Sequence, residues 1–225
     1  MNTLPKVLVL GGSSGIGYSV TQLFCNKGYN TINISRTPCQ VNGVTNILLD
    51  LSKKNIDLSV IRDVGIVIDC VGINLPSAFE EIEDNDLDRM FEVNVTSKFR
   101  VLRQLFKYNK LSRVVIVSSI WGVSTRKGRS VYSATKHALT GLVKTLALEY
   151  ANKEVLINLV SPGFTLTALT AQTNTDHELE EIKAKIPLKR LAEPIEIARL
   201  IKFLTSDDNT YISGQNIIID GGFTI

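Results

Sequence analysis

Apolar residues run along the chain in two alternating rhythms. Residues 6–10 (KVLVL) form a short β-branched and leucine run that stops at glycine, the pattern of a buried strand. Ile16, Val20, Leu23 and Phe24 follow at helical spacing over 16–26, and Gly28 stands where a glycine closes a helix. Strand patterns recur at 31–34, 44–49 and 64–71, with a short helix expected over 51–61. Leu87, Phe91, Val95, Phe99, Leu102 and Phe106 predict one long amphipathic helix over 86–106. A strand at 114–119, a long helix at 131–150, a strand at 155–160, a helix at 194–204 opening on Pro194 and a strand at 216–220 complete the series. Segment 164–186 is polar and threonine-rich, without a clean period before Glu178, and reads as a loop that could cover a site. This β-α alternation predicts an α/β fold of three layers, a parallel sheet of about seven strands with helices on both faces.

Composition narrows the picture. The chain has 225 residues, 44% hydrophobic and 21% charged, which suits a single domain spanning 1–225. Lys+Arg minus Asp+Glu is 25 − 22 = +3, too weak a balance to suggest nucleic acid or a membrane surface as partner. No apolar run has the length of a membrane span, and the short apolar start over 1–10 reads as a cytoplasmic protein rather than a signal peptide. Cys25, Cys39 and Cys70 are too few and too scattered for a disulfide framework or a zinc site. With only His137 and His177, no metal site is expected.

Between the first strand and the first helix lies Gly11-Gly12-Ser13-Ser14-Gly15-Ile16-Gly17. Glycines there let the backbone turn tightly and approach a pyrophosphate, while the helix N-terminus offers free N–H groups and a positive dipole. The expected fold class is a Rossmann-type doubly wound sheet, with this turn either binding a dinucleotide or serving only as a structural strand-to-helix turn. The second strand ends Ser35-Arg36-Thr37 with no carboxylate, so Arg36 stands where a 2′-phosphate would be clamped, and Ser35 and Thr37 add hydroxyls. This favours NADP(H) over NAD(H).

Tyr132 and Lys136 lie four apart on the predicted 131–150 helix and so share a face. A lysine ammonium close to a phenol is expected to lower its pKa toward the working range of an acid or base. Ser118-Ser119 end a predicted strand at the sheet edge where α/β proteins bind ligands. Asn94 sits in mid-helix, an unusual residue for simple packing.

These motifs together resemble the classical short-chain dehydrogenase/reductase family, most closely its 3-oxoacyl-[acyl-carrier-protein] reductase-like branch. Gly11, Gly15 and Gly17 match the family's glycine turn, with Leu10 at its threonine, and the interval from Ser119 to Tyr132 also matches. The resemblance implies that Tyr132 is the general acid/base, Ser119 steadies the substrate oxygen, Lys136 lowers the tyrosine pKa and holds the nicotinamide ribose, and Asn94 supports a proton relay. It implies adenine contacts at Asp50 and Leu51. It also implies cofactor contacts at Ser13, Ser14, Ile16, Cys70, Val71 and Gly72, and along Pro162, Gly163, Phe164, Thr165 and Thr167. Residues 187–198 and 211–222 resemble the closing part of the family. Two departures stand out. The family's N-N-A-G motif is Asp69-Cys70-Val71-Gly72 here, which puts cofactor affinity in doubt, and too few residues separate Arg36 from Val44 for the usual helix.

The expected activity is reduction of a carbonyl, or oxidation of an alcohol, on a small substrate that a carrier protein could deliver. A homodimer or homotetramer is expected from the two long helices, as is common in the family. The rivals are an NAD(H) enzyme of sugar or steroid-like alcohols, and an NADP(H)-binding sensor with little turnover. Trp121 and Val123 are expected to border the substrate. Arg126, Lys127 and Arg129 read as a solvated run that could also dock an acidic carrier. His137 reads as packing and His177 as surface.

Overall fold

The apolar runs come together as one sheet in a computed structural model that describes residues 4–225; the reading of the first three residues lies outside it. The strands are β1 (Lys6–Leu10), β2 (Thr31–Ser35), β3 (Thr45–Leu48), β4 (Val64–Asp69), β5 (Arg113–Val117), β6 (Leu156–Pro162) and β7 (Asn216–Ile219). They are ordered β3-β2-β1-β4-β5-β6-β7, and every pairing is parallel. The chain leaves β1 toward β2 and β3, then returns to the other side of β1 with β4. That reversal opens a crevice at the carboxyl ends of β1 and β4, where such sheets bind ligands.

The helices are α1 (Gly15–Asn26), α2 (Asp84–Phe91), α3 (Ser97–Tyr108), α4 (Ser130–Glu149), α5 (Ala168–Gln172), α6 (Asp176–Lys185) and α7 (Pro194–Leu204). Alternate residues of β1 serve opposite layers, as the two-residue strand period requires. Val7 and Val9 join the core that Val20 and Phe24 of α1 share with Ile197 and Ile201 of α7. Leu8 and Leu10 join the core of Val101 and Leu105 from α3 with Leu139 and Val143 from α4. Burial on both faces explains why the central strands are continuous apolar runs, whereas the edge strand β3 is mostly exposed.

Three expectations about elements need correction. Residues 51–61 form turns, not a helix. Leu51, Ile56, Leu58 and Ile61 are buried there, but the backbone is satisfied from α3: Leu58 N–H donates to Gln104 Oε1 (2.9 Å), and Gln104 Nε2 donates to the Ile56 carbonyl (3.1 Å). The 86–106 helix begins at Asp84, ends at Tyr108, and is broken by a π-helical turn at Glu92–Thr96 that contains Asn94. Such bulges concentrate at functional sites. Segment 164–186 is not one loop, because α5 and α6 lie within it. Thr175 and Glu178 form a reciprocal capping box that starts α6, a T-x-x-E signal present in the sequence. Among the described residues no helix is long and apolar enough to cross a membrane.

Candidate active site

The glycine turn is set by close backbone approaches. Gly11 adopts φ +78°, and a Cβ at Gly17 would run into the Gly11 carbonyl, so α1 can start hard against the end of β1 only with glycine at Gly17. The N-cap residue Ser14 makes no side-chain capping bond, and the first turn of α1 holds no acidic residue. The N-terminal N–H groups are thus left for an anion, and the residues present suit the pyrophosphate of a dinucleotide. Asn33, which the sequence reading passed over, anchors this turn. It is fully buried in β2, its Oδ1 accepts Gly12 N–H (2.8 Å), and its Nδ2 donates to Ser35 Oγ (2.7 Å) and Asn46 Oδ1 (2.8 Å). An asparagine in the middle of a strand was the available signal.

Two adjoining clefts, about 460 and 570 Å³, open from the turn. The larger is lined by Ser13, Ser35, Thr37, Asp50, Leu51 and Val71, and shares Gly11, Ser14, Arg36, Cys70 and Gly72 with the other. Arg36 is exposed at the junction. Thr37 Oγ1 donates to Ser13 Oγ (3.1 Å), joining the end of β2 to the glycine turn. Ser35 is buried, and its hydroxyl donates to the Thr37 carbonyl (2.6 Å) and accepts from Asn33, so it braces this loop. The Asp50 carboxylate accepts the Ser52 hydroxyl (2.7 Å) and amide N–H (3.0 Å), and these bonds hold its pKa below the usual range.

The altered Asp69-Cys70-Val71-Gly72 segment has a partner outside the motif. Lys98 of α3, about 1% exposed, donates to Asp69 Oδ1 (2.8 Å) and to the Val71 carbonyl (2.8 Å). Asp69 Oδ1 also accepts Val71 N–H (2.9 Å). An ion pair therefore braces the loop beneath the crevice. Burial lowers the Lys98 pKa, and the Asp69 charge opposes that. Cys70 is not a reactive thiol, since burial pushes its pKa up to about 12.

The smaller cleft brings Ser119, Tyr132 and Lys136 together with Gly15, Ile16, Gly17, Pro162, Gly163, Phe164, Thr165 and Thr167. Ser119 follows β5 and accepts Trp121 N–H (3.2 Å), which starts the short turn Ile120–Gly122. Tyr132 and Lys136 stand one turn apart on α4, with Lys136 Nζ 5.6 Å from the phenol ring centre. Lys136 Nζ donates to the Val117 carbonyl (3.1 Å), and Gly72 packs close to it. Asn94 does not line the cleft. It lies behind it, accepting Ile73 N–H (2.9 Å) and donating to the Ile73 carbonyl (2.9 Å) and to Thr135 Oγ1 (3.1 Å). Those bonds tie the π-helical turn to the loop after β4 and to α4. Asn74, also unforeseen, lines the cleft, and its buried Oδ1 has no partner among the described residues.

The electrostatics differ from the sequence expectation. Burial pushes the Tyr132 phenol up to about 12; the influences that lower it come from the Ser119 hydroxyl, Arg129 and Lys98, with Lys136 not among them. Burial brings Lys136 down to about 8, opposed by Asp69 and Cys70. Desolvation of both side chains outweighs their mutual influence.

Other expectations sort unevenly. Trp121 lines the cleft and is also core, packed edge-to-face on Phe164 and Phe223. Val123 is exposed and outside the lining, which corrects its assignment. Arg129 is buried in the cleft wall rather than solvated, and donates to the Thr173 carbonyl (3.2 Å). Arg126 donates to Asn174 Oδ1 (3.0 Å) and pairs with Glu178 (3.4 Å). His137 is exposed rather than packed, its Nδ1 at 2.9 Å from the Ser133 carbonyl. His177 is at the surface beside Glu181. Among the described residues no cluster of three or more His, Cys, Asp or Glu could hold a metal ion.

A family model described as enoyl-(acyl carrier protein) reductase matches residues 54–224. The chain belongs to the short-chain dehydrogenase/reductase family. Within it, the chain is related to the 3-oxoacyl-[acyl-carrier-protein] reductases. It is 32% identical to the reductase FabG of Buchnera aphidicola, covering 96% of this chain and 95% of that one. It is also 32% identical to glucose 1-dehydrogenase of Gluconobacter oxydans, covering 98% and 92%. A short chain dehydrogenase family protein from Francisella tularensis superimposes over 99% of both chains with a TM-score of 0.93 at 27% identity. Two further solved structures carry a nicotinamide cofactor, each with a TM-score of 0.87. They are 4-hydroxyisoleucine dehydrogenase with NADH, at 26% identity over 97% of this chain and 98% of that one, and a tyrosine-to-phenylalanine variant of ElxO with NADPH, at 25% over 98% and 99%.

Proposed function

We propose that this oxidoreductase reduces a carbonyl to an alcohol, or runs the reverse reaction, with NADP(H) preferred over NAD(H). The reading is carried by one observation: Ser119, Tyr132 and Lys136 line a single cleft that continues into the glycine turn. The bound nucleotide would supply or accept the hydride. Gly11, Ser13, Ser14, Gly15, Ile16 and Gly17 would hold its pyrophosphate. Arg36 supports the NADP(H) preference, since solved neighbours hold either nucleotide and no carboxylate stands at the end of β2.

In the reductive direction Tyr132 keeps its proton at neutral pH and delivers it to the substrate oxygen as charge develops there. Ser119 steadies that oxygen by hydrogen bonding. Lys136, buried beside the phenol ring, would hold the nicotinamide ribose. Asn94 fixes the π-helical turn that backs the site and supports the path by which the proton is replaced. Trp121 and Phe164 exclude water from the reacting end. The substrate class is a small ketone or a 3-oxoacyl thioester. Exposed Phe91, Phe99 and Leu148 on α2, α3 and α4 support a homodimer or homotetramer.

NADPH oxidation across small ketones and 3-oxoacyl thioesters tests this. Turnover of at least one, lost in Tyr132→Phe, is the expected result. Tight NADPH binding with no turnover of any would instead point to a sensor.

A further inference from the structure

The smaller cleft has an unbalanced charge. Arg36, Arg126, Arg129 and Lys136 line it, and no Asp or Glu does. Arg36 belongs to the nucleotide end and Lys136 to the reacting centre. Arg126 is neutralised by Glu178, whose carboxylate also accepts Thr175 N–H (2.8 Å) in its capping box. Arg129 is left over. It is 7% exposed, forms no ion pair among the described residues, and spends one N–H on the Thr173 carbonyl (3.2 Å). Glu178 acts on it only at a distance, and Arg126 repels it. A buried guanidinium without a counterion is costly to maintain, and the remaining N–H donors of its planar fork match a carboxylate. Arg129 is the N-cap residue of α4, three positions before Tyr132, and the two side chains line the same cleft.

We propose that the substrate of this cleft is a small oxo acid whose free carboxylate is held by Arg129 while its carbonyl faces Tyr132. This rests on the reductase reading above and narrows it, because a carrier-bound thioester has no carboxylate at that position. Arg129 would be a specificity residue. It touches the substrate at a group that does not react, so its energy distinguishes acids from neutral analogues.

The test compares kcat/KM for 3-oxobutanoate and its methyl ester with NADPH. Wild type is expected to favour the acid by about tenfold or more, the scale of one charge-assisted hydrogen bond. In Arg129→Gln that acid-to-ester ratio should fall toward one, and Arg129→Lys should keep part of it. An unchanged ratio in Arg129→Gln, or a wild-type preference for the ester, overturns the proposal and leaves Arg129 as a tie to Thr173. A preference for a phosphorylated ketone such as dihydroxyacetone phosphate over both would overturn the carboxylate assignment as well.

Failure of the reductase reading would show differently, as no turnover of acid or ester. The charge question is then read by binding. Trp121 is the only tryptophan and lines the cleft, so its fluorescence reports occupancy. Succinate should change it saturably and its neutral diamide should not, with the succinate affinity reduced about tenfold in Arg129→Gln. Equal responses to succinate and diamide, or no response to either, overturn the proposal.

Discussion

The two ends of the crevice solve recognition in opposite ways. At the reacting end the ionisable groups are buried: Tyr132, Lys136 and Arg129 are each less than a tenth exposed. At the proposed nucleotide end Arg36 stands in solvent, and the same cleft is edged by the Thr37–Ser13 and Asp50–Ser52 hydrogen bonds. Burial makes the first end sensitive to everything packed around it, pushing the Tyr132 titration up and those of Lys136 and Arg129 down. Exposure makes the second end nearly independent of its surroundings, so a single side chain can set the preference there. On the proposed reading, chemistry would depend on the whole core and cofactor choice on one residue.

The largest effect belongs to the buried end. Removing the phenolic hydroxyl in Tyr132→Phe should lower kcat/KM about 10²–10⁴-fold, the range for a lost general acid. Nucleotide affinity, followed by fluorescence titration, should hold. A comparable loss of affinity would mean that the tyrosine shapes the cleft rather than the reaction. Next comes the ion pair that braces the crevice floor. Lys98→Met strands the Asp69 carboxylate, and breaking one side of a buried pair costs about 3–5 kcal/mol. Thermal denaturation should then show a midpoint lower by about 10 °C for a chain of this size. The double change Asp69→Leu, Lys98→Met should recover most of that. A midpoint unmoved by Lys98→Met would mean that the charge is screened by water the packing admits.

Much of this was legible before the fold was seen, for identifiable reasons. Strands such as Lys6–Leu10 and Val64–Asp69 are buried on both faces, so their apolar runs are unmistakable. Pro194 and Glu193 mark the start of α7 by local chemistry alone. The glycine turn and the Tyr132–Lys136 spacing were readable because short-range geometry constrains both. What failed was long-range. Residues 51–61 read as a short helix, but Gln104 caps their backbone from 46 positions away. The spacing of Lys98 does not point to Asp69, and their pairing appears only when α3 crosses β4. Arg129 reads as surface in a basic run, and its burial and its bond to the Thr173 carbonyl, 44 positions away, cannot be inferred from its neighbours in sequence. The direction of the Tyr132 shift failed for the same reason, because desolvation is a property of the packed site.

A pH experiment sharpens the contrast at the buried end. Unfolded, Lys136 keeps its proton to about 10.5; folded, burial brings that down to about 8. Between those values the unfolded chain binds more protons, so the contribution of Lys136 to stability rises with pH. Below pH 8 the buried ammonium destabilises the fold by its full amount, about 3 kcal/mol. Lys136→Met should therefore be more stable than wild type at pH 7, and the gap should close as pH climbs toward 10. Tyr132 shifts upward without any influence from Lys136, so it is common to both proteins and cancels in the difference, whereas the Cys70 and Lys98 shifts contain a lowering by Lys136 that the variant loses with it. Denaturant unfolding at a series of pH values reads it directly. A pH-independent gap would locate the effect in packing rather than in charge.

The smallest effect is expected at the exposed end, where it should also be the cleanest. Arg36→Ala removes one solvent-facing cation from the place proposed for the 2′-phosphate. Solvent screening keeps its value near the low end for a charged hydrogen bond, so kcat/KM for NADPH should fall about tenfold. NADH carries a hydroxyl at that position and should lose little, so the measured quantity is the NADPH/NADH ratio of kcat/KM. Added salt should erode the wild-type ratio and leave that of the variant flat, since only the former contains an exposed ion pair. A ratio that survives Arg36→Ala would move the discrimination inward, to the Ser13–Thr37 rim. It would also remove the independence that separates this end of the crevice from the other.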